Sequence, residues 1–361
     1  MSETFKVQFS SGVYEVVIGS DLVAGACQDK ALDLFELIDS NVNDLWPDVC
    51  SLNAIKIQAI EENKTLFKVA EVIESLRSLG VNRQSHLAVY GGGIVQDIST
   101  FAASSYMRGI KWTYSPTTLL GMVDSCIGGK SSLNVGIYKN IAGNFYPPQK
   151  IVIDTNFCKT LEDKELVAGL CEASKICFAS NDGAFERYLD IFEGNFFPVS
   201  QNKLLKLIHL SLLTKKRFIE EDEFDQNIRL LLNFGHTFGH AIEASTNFLV
   251  THGVAVGLGM LAEIELSRKL GLLLMPITRV EKLESYIVDL MFKVPHLKEN
   301  LETLSIAKAM TSFKSDKKHE KDFYNVILAN EQGHLERTSI PKSPKIEGYI
   351  ESIFSKIKQG I

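Results

Sequence analysis

The chain has 361 residues, of which 45% are hydrophobic and 23% charged, the composition of a globular protein long enough for two domains. A net charge of -6 with no basic stripe argues against a nucleic-acid partner. No apolar run reaches membrane-spanning length, the start MSETFKVQFSSG lacks a basic end followed by an apolar run, and the six cysteines (Cys27, Cys50, Cys126, Cys158, Cys171, Cys177) form no CxxC, so the sequence predicts a cytoplasmic protein with reduced thiols and no membrane partner.

Short runs rich in β-branched and apolar residues alternate with helical patterns over the first part of the chain. LFELID (34–39), NAIKIQAI (53–60), helix-like TLFKVAEVIESLRSLG (65–80) and HLAVYGGG (86–93) are the signature of an α/β domain with a mostly parallel sheet. From about residue 161 the period changes to 3.6, over 161–179, 201–219, 228–245 and 253–271, which predicts amphipathic helices. A hairpin of FYNVILA with HLERTSI and a last helix over 345–358 close the chain. The change of architecture near 158 divides an α/β domain, 1–158, from a mainly helical, all-α type of domain, 159–361.

Three stretches carry candidate chemistry. HLAVY runs into Gly91, Gly92 and Gly93 and then into the helix pattern IVQDISTFAASSY, where glycines let backbone amides approach a pyrophosphate and the helix start favours an anion. Residues 115–148, SPTTLLGMVDSCIGGKSSLNVGIYKNIAGNFYPP, are long, irregular and dense in Thr, Ser, Asp, Lys and Asn; Lys130 and Lys139 there suit a phosphorylated or carboxylated small substrate. In LLLNFGHTFGHAIEASTNFLVTHGVAV, His236 and His240 are four apart and share a helix face, with His252 returning on the following helix. Histidine is both a neutral zinc ligand and a proton shuttle, and spacing alone pairs His236 with His240 as ligands.

Nine blocks in order span most of the chain: GGGIVQD (91–97), YMRGI (106–110), PTTLL (116–120), VDSCIGGK (123–130), YKN (138–140), GLCEASK (169–175), RLLLNFGHTFGHAIE (229–243), HGVAVGLGM (252–260) and SDKK (315–318). On these the chain resembles the 3-dehydroquinate synthase family of sugar-phosphate cyclases. The resemblance implies a Rossmann-like NAD-binding α/β domain followed by a helical metal- and substrate-binding domain. It implies a catalytic zinc, with cobalt as a possible substitute, held by Glu172, His236 and His252, which moves His240 to the substrate side. It further implies that Asp97, Asp124, Lys130, Lys175, Lys215, Arg229, Asn233 and one of Lys317 and Lys318 face the substrate or order the site. Lys130, Asn140 and Arg108 resemble the phosphate clamp, with Arg108 reaching across a homodimer boundary. Asp39, Asn41, Glu61, Lys64, Gly92, Gly93, Asp97, Thr117, Thr118, Lys139 and Thr160 resemble the NAD contacts, and an acidic Asp39 suits ribose hydroxyls and disfavours NADP.

The implied substrate is 3-deoxy-D-arabino-heptulosonate 7-phosphate, bound through its hydroxyls at carbons 4 and 5. Carbon 5 is oxidised, phosphate is eliminated with its own oxygen as base, and carbon 5 is reduced again. Ring opening and an intramolecular aldol closure then give 3-dehydroquinate, a carbon–oxygen lyase reaction of the shikimate pathway. The chain departs from the family pattern at Val254, Asn227, Tyr138, Gln96 and Cys126. These departures leave open a divergent cyclase of secondary or surface-sugar metabolism, and a silent NAD-binding paralogue.

Overall fold

A computed structural model describes residues 2–23, 33–136 and 138–360; Cys27 lies outside them. The chain forms two compact units, one of Met1–Leu161 with Val199–Glu223, the other of Glu162–Pro198 with Phe224–Ile361. No helix among the described residues is long and apolar enough to cross a membrane.

The first unit is built on a seven-stranded sheet. Its strands are β1 (Glu3–Phe9), β2 (Gly12–Gly19), β3 (Leu34–Asp39), β4 (Ile55–Ile57), β5 (His86–Gly91), β6 (Lys111–Pro116) and β9 (Lys150–Asp154), in the order β1-β2-β9-β6-β5-β3-β4. Strands β7 (Leu133–Val135) and β8 (Tyr138–Ala142) form a separate hairpin. β1 and β2 are antiparallel and the remaining neighbours in the large sheet are parallel. A parallel strand covered on both faces reads as a continuous apolar run, and HLAVYG of β5 is buried at five successive positions. Helices α1 (Ser40–Leu45), α2 (Leu66–Ser78) and α3 (Gly93–Ser105) follow β3, β4 and β5. The strand order reverses between β3 and β5, which places Asp39 and Gly91 to Gly93 at adjacent carboxyl ends, the ligand-binding crevice of such sheets.

The stretch 115–148 is more regular than its sequence indicates: it holds a π-helical turn, Gly121–Ser125, and the β7–β8 hairpin. Strands this short span too few residues to show a period.

The second unit contains α4 (Asp163–Ala179) and α5 (Ala184–Asp190). After α6 (Gln201–Glu221), which belongs to the first unit, come α7 (His236–Ser245), α8 (His252–Lys269), α9 (Thr278–Met291), α10 (Leu297–Glu302), α11 (Ile306–Lys314), the hairpin β10 (Phe323–Ala329) with β11 (Leu335–Pro341), and α12 (Pro344–Lys358). Two sequence expectations change here. The helix over 201–219, assigned by continuity to 159–361, instead packs its apolar face (Leu204, Leu207, Ile208, Leu212, Phe218) on β1 and β2. Periodicity shows that a helix has an apolar face, not which surface covers it. The pattern over 228–245 is not one helix: a 3-10 turn, Ile228–Asn233, is cut off by Gly235 at φ +79°, and α7 starts at His236.

Helices α4, α7 and α8 approach one another through glycines. A Cβ on Gly259 of α8 would lie 1.9 Å from the Gly235 carbonyl oxygen at the start of α7; one on Gly253 would lie 2.3 Å from the Ala168 carbonyl of α4; one on Gly257 would lie 2.8 Å from Cys171 Sγ. Gly259→Ala should therefore destabilise the protein by about 3 kcal/mol or more, because the obstacle is backbone and cannot swing aside. Gly348→Ala, on the exposed face of α12 with nothing within 4 Å of the added Cβ, should instead stabilise by about 0.5–1 kcal/mol through helix propensity. Chemical denaturation of the two variants checks both signs.

Candidate active site

In the second unit, α4, α7 and α8 converge on one cluster. The ring nitrogens of His236, His240 and His252 lie within 4.8 Å of one another. Glu172 of α4 brings Oε1 to 3.4 Å from His252 Nε2 and 3.9 Å from His236 Nε2. Two ligands bound tetrahedrally to zinc at its usual bond lengths stand roughly 3.3–3.5 Å apart. The Glu172–His252 separation falls in that range and the Glu172–His236 separation lies somewhat beyond it, so a small closing shift would let the carboxylate and both imidazoles share one divalent cation. The far ring nitrogens are engaged as they are in metal sites. His252 Nδ1–H donates to Glu243 Oε2 at 3.0 Å, and His236 Nδ1–H donates to the Phe234 carbonyl at 3.3 Å. Both contacts select the tautomer that leaves the Nε2 lone pair free toward Glu172. His240, the most exposed of the three, stacks on His252 at 23° with ring centroids 5.7 Å apart. The spacing-based pair of His236 with His240 and the set implied by resemblance thus occupy the same cluster.

The surroundings tune these groups. Burial, with Lys175 and the neighbouring histidines adding to it, holds His236 well below the usual imidazole range, and a neutral ring is the ligand form. His240 is lowered by the same crowding and by His252. For His252, burial pulls downward but is outweighed by the Glu243 hydrogen bond and by the charges of Glu243 and Glu172, so it is raised. Lys175, itself buried, donates to Glu172 Oε2. Arg229 is 3% exposed on the 3-10 turn. Asn233 and Lys318 line a cavity of about 80 Å³ together with Thr237, Asn325 and Arg337. Of the two candidate lysines, Lys318 faces the cluster, pairing with Asp316 at 2.9 Å and acting on His236 and His240, whereas Lys317 is exposed.

In the first unit the remaining candidates lie after the carboxyl ends of parallel strands. Asp39 ends β3 and caps α1 by accepting from Asn41 N–H at 3.1 Å. Glu61 and Lys64 follow β4, Gly92 and Gly93 follow β5, Thr117 and Thr118 follow β6, and Thr160 follows β9 and accepts from Trp46 Nε1–H at 3.2 Å. A Cβ on Gly92 would sit 2.9 Å from Thr118 Cγ2, while one on Gly93 meets nothing within 4 Å, and no side chain caps the start of α3. That open, uncapped helix start after glycines fits a dinucleotide pyrophosphate. Lys64 bridges Asp97 and Asn140, each at 2.8 Å, and Lys139 lies 3.3 Å from Glu61. Burial raises Asp97 to about 6, with Lys64 opposing it. Lys215 pairs with Asp124 at 2.6 Å on the π-turn, and Lys130 lies over the Phe145 ring at 5.9 Å. Arg108, in a turn with φ +68°, is exposed and forms no ion pair among the described residues.

With this geometry in place, comparison with known proteins is direct. The sequence profile of the 3-dehydroquinate synthase N-terminal domain matches residues 54–168, and that of the C-terminal domain matches 169–319. The chain belongs to the 3-dehydroquinate synthase family. It is 34% identical over 343 residues to a 3-dehydroquinate synthase of Dictyoglomus turgidum, covering 92% of this chain and 94% of that protein. It is 36% identical over 307 residues to one of Natranaerobius thermophilus, covering 84% and 81%. In fold it resembles a 2-deoxy-scyllo-inosose synthase solved with carbaglucose-6-phosphate, NAD+ and Co2+ (TM-score 0.83, 23% identity, 98% and 99% coverage). It also resembles a 2-epi-5-epi-valiolone synthase from Streptomyces hygroscopicus subsp. jinggangensis solved with NAD+ and Zn2+ (TM-score 0.79, 23% identity, 95% and 97% coverage).

Sequence reasoning passed over Glu243 as a site residue, yet the signal was present: His236, His240 and Glu243 stand at i, i+4 and i+7, one face of α7. Glu243→Gln keeps the shape of the side chain and removes its charge. It should weaken divalent-metal affinity roughly 10–100-fold, as read by competition with a chelator, while the melting temperature of the metal-free protein stays close to that of the wild type.

Proposed function

We propose that this protein is a 3-dehydroquinate synthase, converting 3-deoxy-D-arabino-heptulosonate 7-phosphate to 3-dehydroquinate and phosphate. The observation that carries the reading is the convergence of Glu172 Oε1 with the Nε2 atoms of His236 and His252, each imidazole held from behind by Glu243 or the Phe234 carbonyl, in a chain of this family. One carboxylate and two imidazoles leave coordination positions open to substrate hydroxyls, as a catalytic site requires. Zinc, or cobalt in its place, would supply Lewis acidity there, and NAD would supply a hydride acceptor that is restored within each cycle. The co-crystallised NAD+ and Co2+ or Zn2+ of the two proteins of similar fold support the same pair of cofactors here.

The chain's own side chains supply position and charge. Lys175 neutralises the outer oxygen of Glu172 and keeps that buried carboxylate ionised for the metal. His240, Arg229, Asn233 and Lys318 orient substrate oxygens, with the neutral His240 ring able to accept a proton from a hydroxyl. Lys130, Asn140 and Arg108 hold the phosphate while charge moves onto it, and Asp124 fixes the direction of Lys215. Asp39, Asn41, Glu61, Lys64, Gly92, Gly93, Asp97, Thr117, Thr118, Lys139 and Thr160 hold the nucleotide. With a catalytic amount of NAD, zinc and the heptulosonate phosphate, the purified protein should release many phosphates per NAD, form one carbocycle per phosphate and build up no NADH absorbance. NADH accumulating in step with product would make it an ordinary dehydrogenase.

The exposed Arg108, which has no carboxylate partner in its own chain among the described residues, supports a homodimer in which each site borrows this arginine from the other subunit. Arg108→Ala and Lys175→Ala variants, each nearly inactive alone, should then regain about a quarter of wild-type activity when mixed at equal amounts and allowed to exchange subunits. This follows because half of the dimers are hybrids with one intact site. Absence of recovery after exchange demonstrated by mass spectrometry would remove the shared site.

A further inference from the structure

Asn134, on β7, belongs to none of the groups assigned above, yet its carboxamide joins two of them. Its Nδ2 donates to Glu61 Oε1 at 2.9 Å, and its Oδ1 accepts the backbone N–H of Asn140 at 3.0 Å. Its own backbone N–H donates to the Lys64 carbonyl at 2.8 Å, which fixes β7 against the segment between β4 and α2. Asn134 is 9% exposed, so little water is available to replace either side-chain bond. At the far end, Asn140 sits in the left-handed region at φ +55° and accepts from Lys64 Nζ at 2.8 Å. Lys64 in turn pairs with Asp97, and Glu61 with Lys139. The circuit runs from the nucleotide groups Glu61 and Lys64 through Asn134 to the phosphate group Asn140 and back through Lys64.

A carboxamide carries its donor and its acceptor on separate atoms of one planar, neutral group, so it can face Glu61 with one and the Asn140 backbone with the other. An aspartate at 134 could still accept from Asn140 but would face Glu61 with a like charge, and an aliphatic residue could do neither. We propose that Asn134 is a positioning residue that makes nucleotide and phosphate binding interdependent: a nucleotide that orders Glu61 and Lys64 thereby orders the Asn140 backbone for phosphate, and phosphate on Asn140 orders Glu61 and Lys64 for the nucleotide. Such coupling is reciprocal by thermodynamic necessity. The inference rests on the reading that these residues hold NAD and phosphate.

The test is calorimetric titration of the zinc-loaded full chain with NAD, with and without saturating inorganic phosphate as the probe, and the reverse titration. In the wild type, phosphate should tighten NAD roughly tenfold, and NAD should tighten phosphate by the same factor. In Asn134→Ala the factor should fall to about one, with each ligand still binding by itself. Asn134→Asp keeps the Asn140 acceptor and breaks only the Glu61 side; it should weaken NAD more than phosphate, and it stands in if the alanine variant does not fold. A wild type that binds both ligands without coupling, or a folded variant that keeps the full factor, overturns the inference and leaves the site reading standing. A wild type that binds no NAD or no phosphate overturns the site reading and the inference with it.

Discussion

Three backbones must come closer together than ordinary side chains allow before the candidate metal cluster can exist, and that close approach organises the second unit. Glu172, His236 and His252 are carried on three helices, and short ligands reach a common point only if their helices nearly touch. Gly253 sits against Ala168, Gly257 against Cys171 and Gly259 against Gly235, so α8 is pressed on α4 and α7 within a turn or two of each ligand. Metal coordination tolerates ligand displacements of roughly 0.2 Å, whereas a single methyl group at Gly259 needs more than an ångström of relief. The glycines set the distance, and the histidines and glutamate use it.

Within that scaffold the electrostatics of the two units differ. The buried Glu172 and Lys175 form an ion pair whose desolvation is unfavourable and whose separation would leave a bare charge in the interior, an effect of about 3–5 kcal/mol. Nearby, burial and the charge of Lys175 hold His236 below the usual imidazole range, whereas for His252 burial is outweighed by Glu243 and Glu172, so the two ligand candidates are tuned in opposite directions. In the first unit, by contrast, several lysines of the proposed anion sites already hold a carboxylate: Lys64 with Asp97, Lys139 with Glu61, Lys215 with Asp124. An arriving anion competes with groups of the chain itself, which moderates affinity and favours release.

Long periodic segments were legible in the sequence because many residues report the same face: α3, α4, α6, α8, α12, β5 and the β10–β11 hairpin all stand where the pattern puts them. The break at Gly235 was not, since it depends on one left-handed residue inside an otherwise helical period, and β7 is too short to show alternation. The histidine cluster could be read from spacing. Glu172 could not, because it arrives from a helix some sixty residues earlier, and only resemblance supplied it. Asn134 gave no signal at all: its meaning lies in contacts with Glu61 and Asn140, which no periodicity encodes.

The chain leaves the first unit after Leu161, returns for Val199–Glu223 and leaves again. During synthesis, β1 and β2 therefore wait for their covering helix until well over half of the polypeptide has been made. Until then an apolar face meant for Leu204, Leu207 and Phe218 stays open, a state in which nascent chains are prone to aggregate. A fragment ended at the apparent architectural change near 158 would keep that face bare permanently and would also lack Lys215, the partner of Asp124. Each unit is assembled from two separated stretches of the chain, so no single cut in the sequence yields either one whole.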